Sequence, residues 1–340
     1  MRRVPPKLLR RSVLAPAVIL IEVVLIVLAP VLILLAVLAA PVAGGSRPLR
    51  ALLIALAFAV RHLAATLALF ALWIASGFGW KVPSEAMQRA HYAVMRWFVN
   101  GVYRAIVRLA HVRIEYSCSD DAEEVLNEHG NPVLVLGRHA GEGDTLLVIH
   151  ALLCRHDRGP RVVMHEALRL DPVIDVLGDR LPNRFVDPRG GDTEVEIAAM
   201  ARELGGSAAL VIFPEGANFS ERARARGIER LESAGRTRQA ELARAMRHVS
   251  APRPGGALAA IEAAPHADVV VLGHYGFPSG LGELWRDLPV EQTVEVRLWH
   301  EPARAVPDDR DEQIDWLFER WRVLDSWVEE RRVAREGSRA

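Results

Sequence analysis

Apolar residues are spread unevenly along this chain, and their spacing changes twice. Residues 17–40 are almost continuously apolar, interrupted by Glu22 and Pro30. Residues 51–76 are apolar again, apart from Arg61 and His62. Each stretch is as long as the roughly 20 residues that cross a bilayer as a helix. Gly44, Gly45 and Pro48 lie between them, so the two read as arms of a hydrophobic helical hairpin. Between residues 84 and 109 the spacing becomes that of one helical face. Met87, Ala90, Val94, Phe98, Ala105 and Leu109 alternate there with Arg89, Arg96, Arg104 and Arg108. Beyond residue 130 short apolar runs alternate with helical patterns.

The runs predict strands at residues 112–116, 133–136, 161–164, within 181–187, at 208–213 and at 268–272. Helices are expected at 120–129, 146–153, 192–204 and 256–263. The helix at 192–204 carries a Thr193…Glu196 capping box and stops at Gly205 and Gly206. Such alternation implies an α/β fold, a largely parallel sheet flanked by helices, preceded by the hairpin. In the tail, residues 311–335 place Ile314, Leu317, Phe318, Trp321, Leu324 and Val328 on one helical face, suited to covering the core. The implied organisation is a membrane hairpin at 1–80, an amphipathic lead-in at 81–130 and an α/β domain at 131–305. That domain holds a basic helical insertion at 217–250, and an amphipathic helix follows at 306–340.

Charge refines this picture. Lys and Arg total 42, matched by 42 Asp and Glu, so no basic excess points to nucleic acid. Cys118 and Cys154 form neither a disulfide framework nor a zinc pattern, and a reducing compartment is expected. Arg2, Arg3, Lys7, Arg10 and Arg11 precede the first apolar arm, against Arg47 and Arg50 in the connector. This bias places both ends of the hairpin, and the domain after it, on the cytoplasmic side of the cell membrane. Arg61 at mid-bilayer costs about 2.5–3.5 kcal/mol. Either it faces Glu22 across the hairpin, or the second arm is a shallow re-entrant helix.

Candidate chemistry gathers where strands end. The strand at 133–136 runs into a Gly-rich turn with Arg138, His139, Glu142 and Asp144, and a helix opens at once. Asp144 at a helix start can fold back onto His139, orient one ring nitrogen and leave the other to take a proton. Gly141 and Gly143 offer backbone N–H groups to an oxyanion or phosphate, or merely permit the turn. The strand at 208–213 ends in Pro214, Glu215, Gly216, Ala217, Asn218 and Phe219.

Together, RHAGEGD and FPEGANF resemble the first and third sequence blocks of the glycerolipid acyltransferase family, typified by 1-acylglycerol-3-phosphate acyltransferase. The resemblance implies that His139 and Asp144 are the catalytic pair and that Pro214, Glu215 and Gly216 bind substrate. MHEALRLDP and NRFVDPRG resemble the second block, whose Arg meets the acceptor's phosphate, a role for Arg189 or Arg184. PRPGG ahead of VVVLGHYG resembles the closing block and makes Arg253 a second phosphate candidate. Arg138 stands where the family commonly has Asn, and it joins the candidate substrate-binding residues. Ala217 and Asn218 replace the usual Thr-Arg, and Gly273-His274 replaces the usual Pro. The likeness spans residues 132–276.

It implies a glycerol-3-phosphate acyltransferase-like fold and transfer of a fatty acyl group from acyl-CoA or acyl carrier protein. The acceptor is a lysophospholipid, first of all 1-acyl-sn-glycerol-3-phosphate, or another lysophospholipid or glycolipid. No metal or cofactor is expected. A metal-dependent hydrolase using His139, Asp144, His150 and Glu215 would need a His-Glu-x-x-His spacing that the chain lacks. Gly-x-Ser-x-Gly is also missing, against a serine hydrolase. A membrane-anchored lipid-binding protein without turnover would be signalled by loss of His139 or Asp144, and both are present. The arginines of residues 217–250 are either a solvated helical pair or an attraction for phosphates.

Overall fold

The computed structural model describes residues 4–141, 143–186, 193–277, 281–288 and 291–337. Arg189, one of the two candidates for the phosphate contact, lies outside the described residues, as does Glu142.

The chain opens with α1 (Lys7–Leu9), a π turn and α2 (Ala15–Val27), and α3 (Ala29–Ala39) follows at a bend of 61°. Pro30 explains the bend, since it has no N–H and its ring crowds the carbonyl four residues back. The second arm is α4 (Arg47–Ala75), and α5 (Glu85–Leu109) starts where the Ser84 hydroxyl accepts from the Met87 N–H. β1 (Val112–Cys118) and α6 (Asp120–Asn127) lead to β2 (Val133–Gly137), which opens into α7 (Asp144–His150). β3 (Gly159–His165), α8 (Pro172–Arg180), β4 (Arg184–Val186), α9 (Thr193–Arg202) and β5 (Ala208–Ile212) come next. α10 (Glu221–Ser233), α11 (Thr237–Ala245) and α12 (Pro254–Ala263) separate β5 from β6 (Asp268–Tyr275). α13 (Leu281–Asp287), β7 (Gln292–Glu301) and α14 (Arg310–Gly337) follow.

The described strands form one seven-stranded sheet in the order β1-β7-β6-β2-β5-β3-β4. β2 lies at its middle, parallel to β5 and β6, while β7 runs antiparallel to β6. The expected α/β architecture is therefore present, with a mixed but mostly parallel sheet. Sequence reading missed β7. Its signal was period-two burial: Gln292, Val294, Val296 and Leu298 are buried, with polar residues between them.

Two compact units are distinguished. One comprises Met1–Arg113, Val163–Gly191 and Leu281–Gln292; the other comprises Ile114–Val162, Asp192–Gly280 and Thr293–Ala340. In the second unit every residue of β2 and β5 is buried, as expected of a central strand covered on both faces. α14 closes this core with Leu317, Phe318, Trp321 and Leu324, all fully buried.

In the first unit α4 is long and apolar enough to cross a bilayer, and Lys7–Val27 with Ala29–Ala39 qualifies as one bent span. Glu22 does not meet Arg61. Its Oε1 lies 2.6 Å from Nδ1 of His62, the next residue and one 100° step around the helix. The Arg61 guanidinium instead lies 5.3 Å from the centre of the Trp97 ring. Gly101 makes this possible: a Cβ there would collide with that guanidinium.

Candidate active site

The site is built by strand register in the second unit. β2 pairs with β5 so that Leu136 faces Ile212, and with β6 so that Gly137 faces Leu272. Carried two residues past the end of β2 and three past the end of β5, the same offsets put His139 and Glu215 level with His274, near the end of β6. All three sit at the carboxyl edge of neighbouring parallel strands, where open α/β sheets bind their ligands.

Asp144 occupies the centre and is 0% exposed. Its Oδ2 accepts from the N–H of Ala140 at 2.5 Å and of Gly141 at 2.7 Å, and Nδ1 of His139 lies 3.2 Å away. On its other side, Nε2 of His274 lies 3.1 Å from Oδ1. Burial alone would push this carboxyl up. The neighbouring His274, the ring N–H of His139 and the Gly141 N–H outweigh burial and hold it well below the usual carboxylate range. Asp144 is thus a fixed negative charge between two imidazoles.

The His139 side chain is 24% exposed, and its ring leans on Phe213 with centroids 4.8 Å apart. With Nδ1 donating to Asp144, Nε2 is left as the acceptor. The arrangement can orient a base, fix its tautomer and stabilise the imidazolium that forms on proton uptake. Among the described residues, no group of three His, Cys, Asp or Glu side chains could hold a metal ion.

Glu215 does something other than face outward. It is 4% exposed, and its two oxygens accept from the backbone N–H of His139 at 2.9 Å and of Ser250 at 2.8 Å. Burial pushes its carboxyl up to about 7 against these hydrogen bonds and the nearby Arg138. The Phe219 N–H donates to the His139 carbonyl at 2.8 Å. The Pro-Glu-Gly loop therefore grips the histidine backbone from two sides.

Arg138 is buried under the site, where its guanidinium donates to the carbonyls of His274 and, at 2.9 Å, His248. Its head ties the loops after β2 and α11 to the end of β6. α14 completes the support: Asp325 accepts from the N–H groups of Arg247 and His248, and His248 Nε2 lies 2.7 Å from Glu329.

Arg253 is exposed at the start of α12, and its backbone N–H donates to the Pro214 carbonyl at 2.7 Å. Its side chain lies against Gly216, which adopts φ +71° and has no Cβ to obstruct it. Arg230 on α10 is close enough that, after burial, Arg253 is the next cause pulling its guanidinium down. Two cations thus stand beside the Pro-Glu-Gly loop. Arg184 begins β4 in the first unit, where it donates to the Asn183 carbonyl.

Gly141 stands differently from the sequence reading. The Gly141 N–H is occupied by Asp144, so it is not open to an oxyanion. Gly143 lets Phe277 pack, since a Cβ there would overlap that ring. In the sequence His274 is marked only as a departure from the family's closing Pro. It lies 130 residues from Asp144 in sequence, and β2–β6 pairing alone brings the two together.

Residues 113–272 match the family model described as Acyltransferase, and this span contains His139, Asp144, Glu215 and Arg253. A comparison with curated proteins finds no match. With the His-x4-Asp pair seated at the carboxyl edge of the central strand, residues 113–272 form an Acyltransferase domain, one of the glycerolipid acyltransferase family.

Proposed function

We propose that this protein is a membrane-bound O-acyltransferase that moves a fatty acyl group from acyl-CoA or acyl carrier protein to the free hydroxyl of a lysophospholipid. The first candidate acceptor is 1-acyl-sn-glycerol-3-phosphate, which would give phosphatidic acid. The observation that carries the reading is the 3.2 Å contact between His139 Nδ1 and the buried Asp144, within a domain of an acyl-transferring family.

On this reading Nε2 of His139 takes the hydroxyl proton, and Asp144 steadies the imidazolium. The alkoxide attacks the thioester carbonyl and forms the new C–O bond. The tetrahedral intermediate then expels the thiolate, which recovers the proton from His139. Each proton and electron pair is accounted for without an acyl-enzyme. Arg253 and Arg230 supply positive charge for a phosphate of acceptor or donor, with Arg fork geometry suited to its oxygens. The apolar α4 and bent N-terminal span support a membrane setting, with the domain on the cytoplasmic side by charge bias.

Membranes containing the protein, offered labelled acyl-CoA and a panel of lysolipids, test the reading. Wild type should acylate one acceptor class, and His139→Ala should lose about 10²–10⁴-fold, the usual contribution of a general base. Equal rates for the two proteins would remove His139 from the mechanism. Lysolipid binding with no transfer to any acceptor would favour a non-catalytic lipid-binding protein.

A further inference from the structure

A cavity of about 630 Å³ opens within the first unit. Pro16, Ile19, Leu67, Phe70, Trp73 and Leu170 give it an apolar wall. Its polar lining is of one dominant sign: Arg10, Arg11, Arg169 and Arg180 against the single carboxylate of Asp175.

Asp175 already meets three of these arginines, Arg10 at 2.7 Å, Arg11 at 3.1 Å and Arg169 at 3.3 Å. Asp179, just beyond the lining, meets Arg11, Arg169 and Lys7 at 2.7–2.9 Å. Arg180 donates to the Leu69 carbonyl and faces Nε2 of His91, and neither partner carries a negative charge to offset it. Burial and then Arg11 pull its guanidinium down to about 10. Lys7 is largely in water, but the four arginines of the lining share two carboxylates at the edge of an apolar cavity, a surplus of two positive charges. Charge held away from water is costly unless paired.

Both halves of the lining need an occupant. A small anion would offset the charge and leave the apolar wall bare. A neutral lipid would cover the wall and leave the surplus charge. The position in the chain names the source. Lys7, Arg10 and Arg11 stand at the entrance to the first apolar span, where a bilayer presents its phosphates.

We propose that this cavity holds one anionic membrane phospholipid, with its phosphate against Arg11, Arg169 and Arg180 and an acyl chain along Ile19, Phe70 and Trp73. The site uses none of the residues around His139, and its test needs no turnover.

Full-length protein in phosphatidylcholine nanodiscs is titrated with phosphatidylglycerol or phosphatidylcholine carrying brominated chains. Trp73 emission is read as the difference between wild type and Trp73→Phe. The anionic lipid should quench Trp73 at a mole fraction on the order of tenfold lower than the neutral one, given about a fivefold gain per basic residue. Arg169→Gln should cut that preference by about fivefold, and Arg169→Lys should restore most of it. Equal quenching by the two lipids overturns the proposal. So does full preference retained in Arg169→Gln, or in Arg11→Gln if the first variant fails to fold. Displacement of the brominated lipid by inorganic phosphate alone, or by long-chain acyl-CoA, overturns it as well, by reassigning the cavity to a free anion or to the acyl donor.

Discussion

Each unit contains a buried histidine–carboxylate cluster, and the two are inverted. In the second unit one carboxylate, Asp144, stands between His139 and His274. In the first, one imidazole, His62, stands between Glu22 at 2.6 Å and Asp171 at 3.2 Å. Both nitrogens of His62 face carboxylates, and its side chain is 2% exposed, so neither nitrogen can reach a substrate. His139 spends one nitrogen on Asp144 and keeps the other at a partly open edge. A base needs this asymmetry, with one side held and one side free. The same side chain with both sides held is a tie between helices. Counting histidines and acids in the sequence does not distinguish the two; the free nitrogen does.

The comparison can be broken at either cluster. The largest effect is expected from Asp144→Asn, which removes the charge that orients His139. Its kcat should fall by roughly 10²–10⁴-fold in the lysolipid assay. A near-normal kcat would mean that His139 is not oriented by Asp144 during turnover. His62→Leu tests the opposite case. It leaves Glu22 buried without its partner, so stability should fall by about 3–5 kcal/mol. Turnover per folded molecule should be unchanged, as read by thermal unfolding beside activity. A kcat loss at unchanged stability would make His62 part of the chemistry.

Glu215 gives a finer test, because burial raises it to about 7 from an ordinary 4.5. An acid raised by folding adds stability that is full below the unfolded value and is lost as pH rises through the folded one. The stability of wild type relative to Glu215→Gln should therefore decline between pH 4.5 and pH 7, by on the order of 2–3 kcal/mol, and level off above. A flat difference across that range would show that the carboxyl is not buried as described. The smallest effect belongs to an exposed pair, Glu85 and Arg89, one helical turn apart at 3.5 Å. Arg89→Ala should cost no more than about 0.5 kcal/mol, since water screens both partners. A larger loss would mean that α5 packs against something through Arg89.

Much of the site was legible because its chemistry is local in sequence. His139 and Asp144 are five residues apart on one strand-to-helix turn, and Glu215 follows another buried strand. The role of Glu215 was less legible. Its motif suggests a ligand for substrate, yet its oxygens are taken by the N–H groups of His139 and Ser250. Arg138 likewise turns inward, because the carbonyls at the ends of β6 and α11 lie within reach of its head. No pattern of spacing predicts which backbone group a long side chain will meet.

The sequence by itself determined the alternation of strands and helices, the apolar arms, the break at Pro30 and the His-x4-Asp turn. These depend on neighbours within a few residues, where backbone geometry and side-chain period are fixed by chemistry. Tertiary structure alone decided that His274 faces Asp144, that Glu22 meets His62 and not Arg61, and that α14 braces the loop under the site. Those contacts depend on strand register and on how one helix is rotated against another. A shift of one residue turns a strand side chain to the other face, or a helical one by 100°, and only the packing of the whole unit selects among such alternatives.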